Sequence, residues 1–459
     1  MLRPPHPQQE PTSSRSVKAQ SPSVPPRGPA QRLRFGLAVV LVALSAAAFA
    51  IVFRLALGLL LGLAGQAENV VVMLSRAPRW ARVVLPALGG LVAGIFVWLL
   101  RERKDHGVGS VMETVVLGRG QLSLRSSLLK SLASFSAIAS GGSLGREGPL
   151  IQLGAVAGQV WSGVLGLGSR QRRVLIAAGT AAGFAAAYNT PFAAALFVLE
   201  VVVGVVALDA VLPTVGATVV GTLVTRAVVG PGPIYGARVF STRAPTELFA
   251  FVGLGLVAAL GAQLFMRLLT SSERWFALSN LKMPWRPALG GLLCGCLLLF
   301  MPQVAGNGYE PLNQLLDGRY TYGFVAALLL AKCLATSASV SSGSPGGVFT
   351  PTLLLGGGIG YLYFGLLSQE LGFNLGQAGG YALVGMAAAT AATTHAPLMA
   401  AVMAFELSGD YAIALPLLLA TTIATVTSRW MRADSIYGAE LRRAGAGWEL
   451  TLEGRKMTS

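Results

Sequence analysis

The chain has 459 residues, of which 53% are hydrophobic and only 12% charged, and its mean hydropathy is +0.63. A charged share about half that of ordinary soluble domains excludes a water-soluble globular protein and makes the bilayer the solvent. The formal charge of +16, from 35 Lys and Arg against 19 Asp and Glu, does not point to nucleic acid: the basic residues gather at the ends and between apolar runs, as membrane-flanking loops do.

In chain order, residues 1–34 carry Arg3, Arg15, Lys18, Arg27, Arg32 and Arg34 among many Pro, Gln and Ser, a composition that predicts a disordered basic arm. The positive-inside rule places that arm in the cytoplasm. The apolar run 35–53 lies too far from the N-terminus, and is too long, for a cleaved signal peptide, so it is expected to stay as a membrane helix. Further uncharged runs follow at 83–100, 174–199, 210–225, 248–266, 333–367, 372–405 and 411–428. Several can cross a hydrocarbon core of about 30 Å. The runs 174–199, 333–367 and 372–405 hold clusters of Gly, Pro, Asn, His and Ser, so each predicts two shorter, broken helices instead of one span. Cys294, Cys296 and Cys333 lie in apolar segments without nearby His, which predicts packing residues and no metal site. Arg429, Arg432, Arg442, Arg443, Arg455 and Lys456 follow the last run. They place the C-terminus on the same side as the N-terminus, with residues 446–459 as a short cytoplasmic tail.

The sequence repeats itself. Pro191-Phe192-Ala193-Ala194-Ala195-Leu196-Phe197-Val198-Leu199-Glu200 aligns with Pro397-Leu398-Met399-Ala400-Ala401-Val402-Met403-Ala404-Phe405-Glu406 at an offset of 206. Upstream, Gly145-Arg146-Glu147-Gly148-Pro149 with Gly154 matches the frame of Gly347-Val348-Phe349-Thr350-Pro351 with Gly356 at an offset of 202. Two blocks in one order at nearly one offset imply a duplicated half, with repeats over residues 35–230 and 231–445. Membrane repeats of this kind commonly hold a binding site between them, lined by discontinuous helices. In each half a Gly-rich loop runs into Pro and an apolar helix, from Ser140 to Pro149 and from Ser341 to Pro351. The unpaired N–H groups and positive dipole end of such a helix hold an anion without a full positive charge. An anion so held can also leave quickly, which suits conduction.

The motifs Gly145-Arg146-Glu147-Gly148-Pro149 and Gly346-Gly347-Val348-Phe349-Thr350-Pro351, with Tyr437 after the last run, resemble the signature of CLC chloride channels and transporters, over about residues 35–445. The resemblance implies an all-α polytopic membrane protein of two inverted repeats with short, broken and re-entrant helices. It implies a homodimer with one anion path per subunit, and no cofactor. By the same resemblance Glu147 would be the gating glutamate, Val348 and Phe349 would offer backbone N–H groups to the central anion, and the Tyr437 hydroxyl would donate to it. Gly107, Arg146 and Gly148 belong to the same expected anion-binding set. Glu147 beside unpaired helix N–H groups would compete with chloride directly, and an ionisable group among apolar residues is functional by default.

Two departures from the family pattern stand out. Asp105-His106-Gly107-Val108-Gly109 occupies the place of the family's G-S-G-I-P, which sets His106 on the central serine; an imidazole donates one hydrogen bond to an anion and, protonated, adds charge. In proton-coupled family members a second glutamate directly follows the first on the cytoplasmic side, whereas Glu200 is followed by Val201. Glu200 and its repeat partner Glu406 are expected to be structural carboxylates capping neighbouring helices, and the proton-relay position is apolar. The expectation is therefore passive, glutamate-gated chloride conduction, with proton-coupled antiport, or carriage of nitrate or fluoride on the same fold, as alternatives. His395, before Pro397, sits in the loop equivalent to that of Asn189 and is expected to cap or pack. An intramembrane enzyme lacks its motifs here, having neither His-Glu-x-x-His nor Gly-x-Ser-x-Gly. A prokaryotic inner membrane is the expected location, and the uncharged faces of 211–225 and 411–428 are candidates for the dimer contact.

Overall fold

Glycine, proline and three non-glycine residues in left-handed conformation, Asn189, Asn280 and His395, stand where helices stop. The computed structural model describes residues 28–64, 67–100, 107–118, 121–204, 208–230, 232, 234–236, 238–240, 244–432, 434–443, 447–451 and 454–458. The first half comprises α1 (Pro29–Leu63), α2 (Val70–Arg76), α3 (Arg79–Trp98), α4 (Gly107–Leu117), α5 (Leu124–Ala139), α6 (Glu147–Val164), α7 (Ser169–Tyr188), α8 (Pro191–Phe197) and α9 (Leu208–Val229). The second comprises α10 (Leu248–Leu278), α11 (Trp285–Leu298), α12 (Tyr309–Leu316), α13 (Tyr322–Ser341), α14 (Phe349–Gly365), α15 (Ala378–Thr394), α16 (Pro397–Ser408), α17 (Ala414–Met431) and α18 (Ile436–Arg443). Outside this helical body, β1 (Gly447–Thr451) pairs antiparallel with β2 (Gly454–Thr458).

Among the described residues six helices are long and apolar enough to cross a membrane by length and composition, among them Pro29–Leu63, Arg79–Trp98 and Tyr322–Ser341. Helix α1 differs from its sequence expectation at both ends. It starts at Pro29, so residues 29–34, read as part of the arm, are helical: Pro fits a first helical turn and no breaker follows. It also runs through Arg54 to Leu63, because one charge does not break a helix whose next residues are again apolar.

Each of the three long apolar runs is broken in two, as their interrupting residues predict. Helix α7 ends at Asn189, in the left-handed region at φ 58°, before Pro191 opens α8; α15 ends at His395, at φ 57°, before Pro397 opens α16. Between α13 and α14 lies the glycine-rich loop, with Gly343 at φ 95°. Asn189 and His395 therefore do one job in the two halves: a left-handed residue whose backbone N–H closes the preceding helix on Ala185 and Ala391 respectively.

The halves meet through reciprocal contacts. Gly145 N–H donates to the Gly347 carbonyl at 2.7 Å, and Gly347 N–H returns the bond at 2.8 Å. Where α3 crosses α11, a Cβ on Gly90 would stand 2.2 Å from the Pro287 carbonyl oxygen, and one on Gly291 2.0 Å from that of Pro86. Each contact has a counterpart with the halves exchanged, as a twofold relation between two inverted repeats requires. Aromatic side chains from both halves fill the centre: Phe184, Tyr188, Phe197, Phe349 and Tyr437 are all buried in one cluster.

Candidate functional site

The two glycine-rich loops bring the start of α6 against the start of α14. Glu147, first residue of α6, is 1% exposed. Its Oε1 accepts from the backbone N–H of Phe349 at 3.0 Å and of Thr350 at 3.3 Å, and its Oε2 accepts from the Thr350 hydroxyl at 3.1 Å. The carboxylate thus occupies the N-terminus of α14, where unpaired donors and the helix dipole would otherwise hold a free anion. A Cβ on either Gly145 or Gly347 would come within 2.1 Å of the carboxylate oxygens, so bare backbone on both sides is what admits it.

Glu147 lines a cavity of about 100 Å³ together with Gly107, Gly148, Val348 and Tyr437. Of the residues expected to touch an anion, these and Phe349 are brought together. Gly107 opens α4, Val348 precedes α14 as its cap, and Tyr437 on α18 is 6% exposed and packs edge-to-face on Phe197 at 5.8 Å. Asp105 and His106 lie outside the described residues. Arg146 is not with the others: its guanidinium lies over the Tyr309 ring, 5.3 Å from the centroid, donates to the Ala187 carbonyl at 3.4 Å, and faces a second cavity of about 910 Å³. Neighbouring residues at the start of a helix point about 100° apart, so Arg146 and Glu147 serve different cavities.

The two carboxylates that end the repeated blocks each cap a helix of the opposite half. Glu200 accepts from the backbone N–H groups of Leu398 (3.3 Å) and Met399 (2.7 Å) in α16; Glu406 accepts from those of Phe192 (3.0 Å) and Ala193 (2.8 Å) in α8. Val201 is fully buried, in a wider π-helical turn spanning Val198–Val203. Truncating Glu406 to alanine removes two charge-assisted bonds and should cost about 2–4 kcal/mol. The expected result is a lower midpoint of thermal unfolding in detergent, with Glu406→Gln between alanine and native; three equal midpoints would refute the cap.

Sequence reasoning missed Tyr188 and Thr350. The Tyr188 hydroxyl lies 2.8 Å from Thr350 Oγ1, the same oxygen that bonds Glu147. Their signal was position: a hydroxyl directly after Phe349, in the first turn of an anion-facing helix, and a phenol directly before the helix break at Asn189. His395 packs as expected, its Nε2 3.3 Å from Ser428 Oγ. Among the described residues no group of three His, Cys, Asp or Glu side chains could hold a metal ion.

Inverted broken-helix repeats meeting at two helix N-termini, one of them occupied by a buried glutamate, define an anion-transport protein of the CLC class. The chain belongs to the voltage gated chloride channel family, whose model matches residues 89–429. It is 38% identical over 390 residues to a putative chloride channel protein ClcB-like of Ralstonia nicotianae, covering 83% of this chain and 90% of that one. It is 38% identical over 369 residues to the voltage-gated ClC-type chloride channel ClcB of Salmonella typhimurium, covering 78% and 86%. Among solved structures it matches a slow cyanobacterial Cl-/H+ antiporter with a TM-score of 0.78 at 25% identity, over 89% of this chain and 97% of that one. A CLC-type fluoride/proton antiporter shares the fold, with a TM-score of 0.75 at 21% identity over 90% and 99%. The family is one of ion channels and transporters.

Proposed function

We propose that the chain exchanges chloride for protons across the membrane, with Glu147 as the group both substrates use. The observation that carries this reading is the Glu147 carboxylate held on the N–H groups of Phe349 and Thr350. Ionised, it fills an anion position and closes the path. Chloride can take its place at those donors, or a proton can neutralise it and weaken its hold, since bonds to a charged acceptor are about twice as strong as neutral ones. In this reading chloride passes the backbone of Gly107, Gly148, Val348 and Phe349 and the Tyr437 hydroxyl, with His106 beside Gly107. Glu200 and Glu406 hold the halves together and touch no substrate. The likeness to a Cl-/H+ antiporter at 25% identity supports exchange.

A second reading, passive conduction, is favoured by Val201. A buried valine at the place where proton-coupled relatives are expected to carry a glutamate supplies no titratable group.

The experiment uses protein in liposomes with a chloride gradient, a chloride electrode, external pH recording and a potassium ionophore. In exchange, chloride leaving the vesicles draws protons in, so external pH rises as chloride appears. Chloride efflux with unchanged pH would decide for the passive pathway, and no efflux of any halide would overturn the anion assignment itself.

The same reading includes a homodimer with one path per subunit in a bacterial inner membrane, both termini cytoplasmic. The outward faces of α9 and α17, with Leu212 and Leu223 on one and Leu415 and Val426 on the other, supply apolar surface for that contact. Cross-linking in membranes between cysteines placed on these faces tests it; no cross-linked dimer from either face would refute it.

A further inference from the structure

The Glu147 carboxylate is held by more than backbone, and the extra hold comes from two hydroxyls that the repeat motifs do not require. Thr350 Oγ1 donates to Glu147 Oε2 at 3.1 Å and stands 2.8 Å from the Tyr188 hydroxyl. An ionised carboxylate has no proton to give, so the single Thr350 hydroxyl hydrogen points at Glu147. The Tyr188 hydroxyl must then donate its own hydrogen to Thr350. The direction of the whole chain, Tyr188 to Thr350 to Glu147, is fixed by the charge at its end. The chain is also built rigidly: Tyr188 is 1% exposed, with its ring centroid 4.8 Å from that of Phe184, 5.6 Å from that of Phe349 and 6.4 Å from that of Tyr309.

From this geometry we propose that the Tyr188 and Thr350 hydroxyls form a latch that holds the ionised gate shut and so sets the pH at which Glu147 lets go. The proposal rests on the reading of Glu147 as the gate. Tyr188 is a positioning residue: it touches no anion and acts by orienting Thr350, and polarisation along hydroxyl chains strengthens the terminal bond. When Glu147 is protonated the terminal bond becomes neutral and loses about half its strength. The pair therefore favours the charged, docked carboxylate over the neutral one.

Other charged or titratable groups near Glu147 act on it through space. They are Tyr309 on α12, Lys332 on α13, Tyr437 on α18 and Tyr235, together with Glu273 on α10, Arg432 after α17 and Glu440 on α18 at the cavity it lines. Arg146, its neighbour in the loop, is turned to Tyr309. None of these groups changes when the Tyr188 hydroxyl is removed, so a phenylalanine there isolates the latch.

The test is the pH profile of chloride efflux from liposomes for the native protein and for Tyr188→Phe, which keeps the ring and its packing. The pH of half-maximal efflux should move upward in Tyr188→Phe, by about half to one unit, and further in Thr350→Val, one unit being a tenfold change in the ionised fraction. Thr350→Ser, which keeps the hydroxyl, should restore the native profile. With Glu147→Ala as background, adding Tyr188→Phe should change neither rate nor profile. A Tyr188→Phe profile that superimposes on the native one overturns the latch while Glu147 stands as the gate. An equal shift in the Glu147→Ala background also overturns it, since the hydroxyl would then act elsewhere. If Glu147→Ala alone keeps the native pH dependence, the gate reading itself falls and the latch with it. Thermal unfolding and gel filtration of each variant separate a shifted profile from a damaged fold.

Discussion

Glu147→Gln should leave chloride efflux high and flat from pH 4 to 8, while native efflux climbs as the medium is acidified. Glutamine keeps the size of the side chain and removes its charge. The three bonds that hold the carboxylate on Phe349 and Thr350 then change from charge-assisted to neutral, each losing about 1 kcal/mol or more. A total loss of about 3 kcal/mol is a factor of over a hundred in occupancy of the α14 N-terminus. The amide no longer competes with chloride on equal terms, and no proton can restore or remove its charge. External pH should also stay constant during efflux, because the proton-carrying group is gone. The measurement is the liposome efflux assay with simultaneous pH recording; native-like pH dependence in this variant would sink the gate.

The second large effect concerns folding. Helices α6 and α7 touch through glycine, as do α14 and α15. A Cβ on Gly154 would stand 2.1 Å from the Gly179 carbonyl oxygen, one on Gly179 2.0 Å from that of Gly154, and one on Gly356 2.4 Å from that of Gly385. The obstacle in each case is backbone, which cannot rotate aside, so valine forces the helices apart. Gly154→Val and Gly356→Val should each yield little monodisperse protein by gel filtration in detergent. Gly163→Ala, at a position where an added Cβ meets nothing within 4 Å, should run like the native protein. Normal yield from Gly154→Val would refute the close contact. The effect runs through packing alone, and those helices carry Glu147 and Phe349, so loss of the packing also scatters the site.

What could be read from the sequence followed from how strongly each feature constrains local backbone. Broken helices at Asn189 and His395 were legible because Pro191 and Pro397 sit two residues on, and proline disfavours helix in the residue before it. The meeting of the Glu147 and Phe349 loops was legible through the resemblance. Helix α5 was not, because Ser126, Ser127, Ser131 and Ser134 depress its hydropathy although all are buried. Ser131 bonds the carbonyl of Ser127 in its own helix, so it enters the interior without a partner elsewhere. The orientation of Arg146 was hidden too, since adjacency in sequence says nothing about which cavity a side chain enters. Tyr188 and Thr350 are 162 positions apart, and only the packed structure joins them. The apolar relay position suggested conduction without protons; the likeness to an antiporter supports exchange at least as well, because transport mode depends on water and side-chain paths that one residue type does not determine.

The crossed caps of Glu200 and Glu406 bear on how this protein is made. Until Glu406 is made, the N–H groups of Phe192 and Ala193 in α8 lack their acceptor, because Glu406 lies 214 residues downstream of Phe192. At roughly 5–20 residues per second, that interval lasts roughly 10–40 s. For that time the first half is an unfinished object in the membrane, with donors that other chains or lipid headgroups can occupy. Neither half can complete its own cap, and a chain that stops between them leaves the Phe192 and Ala193 N–H groups without Glu406.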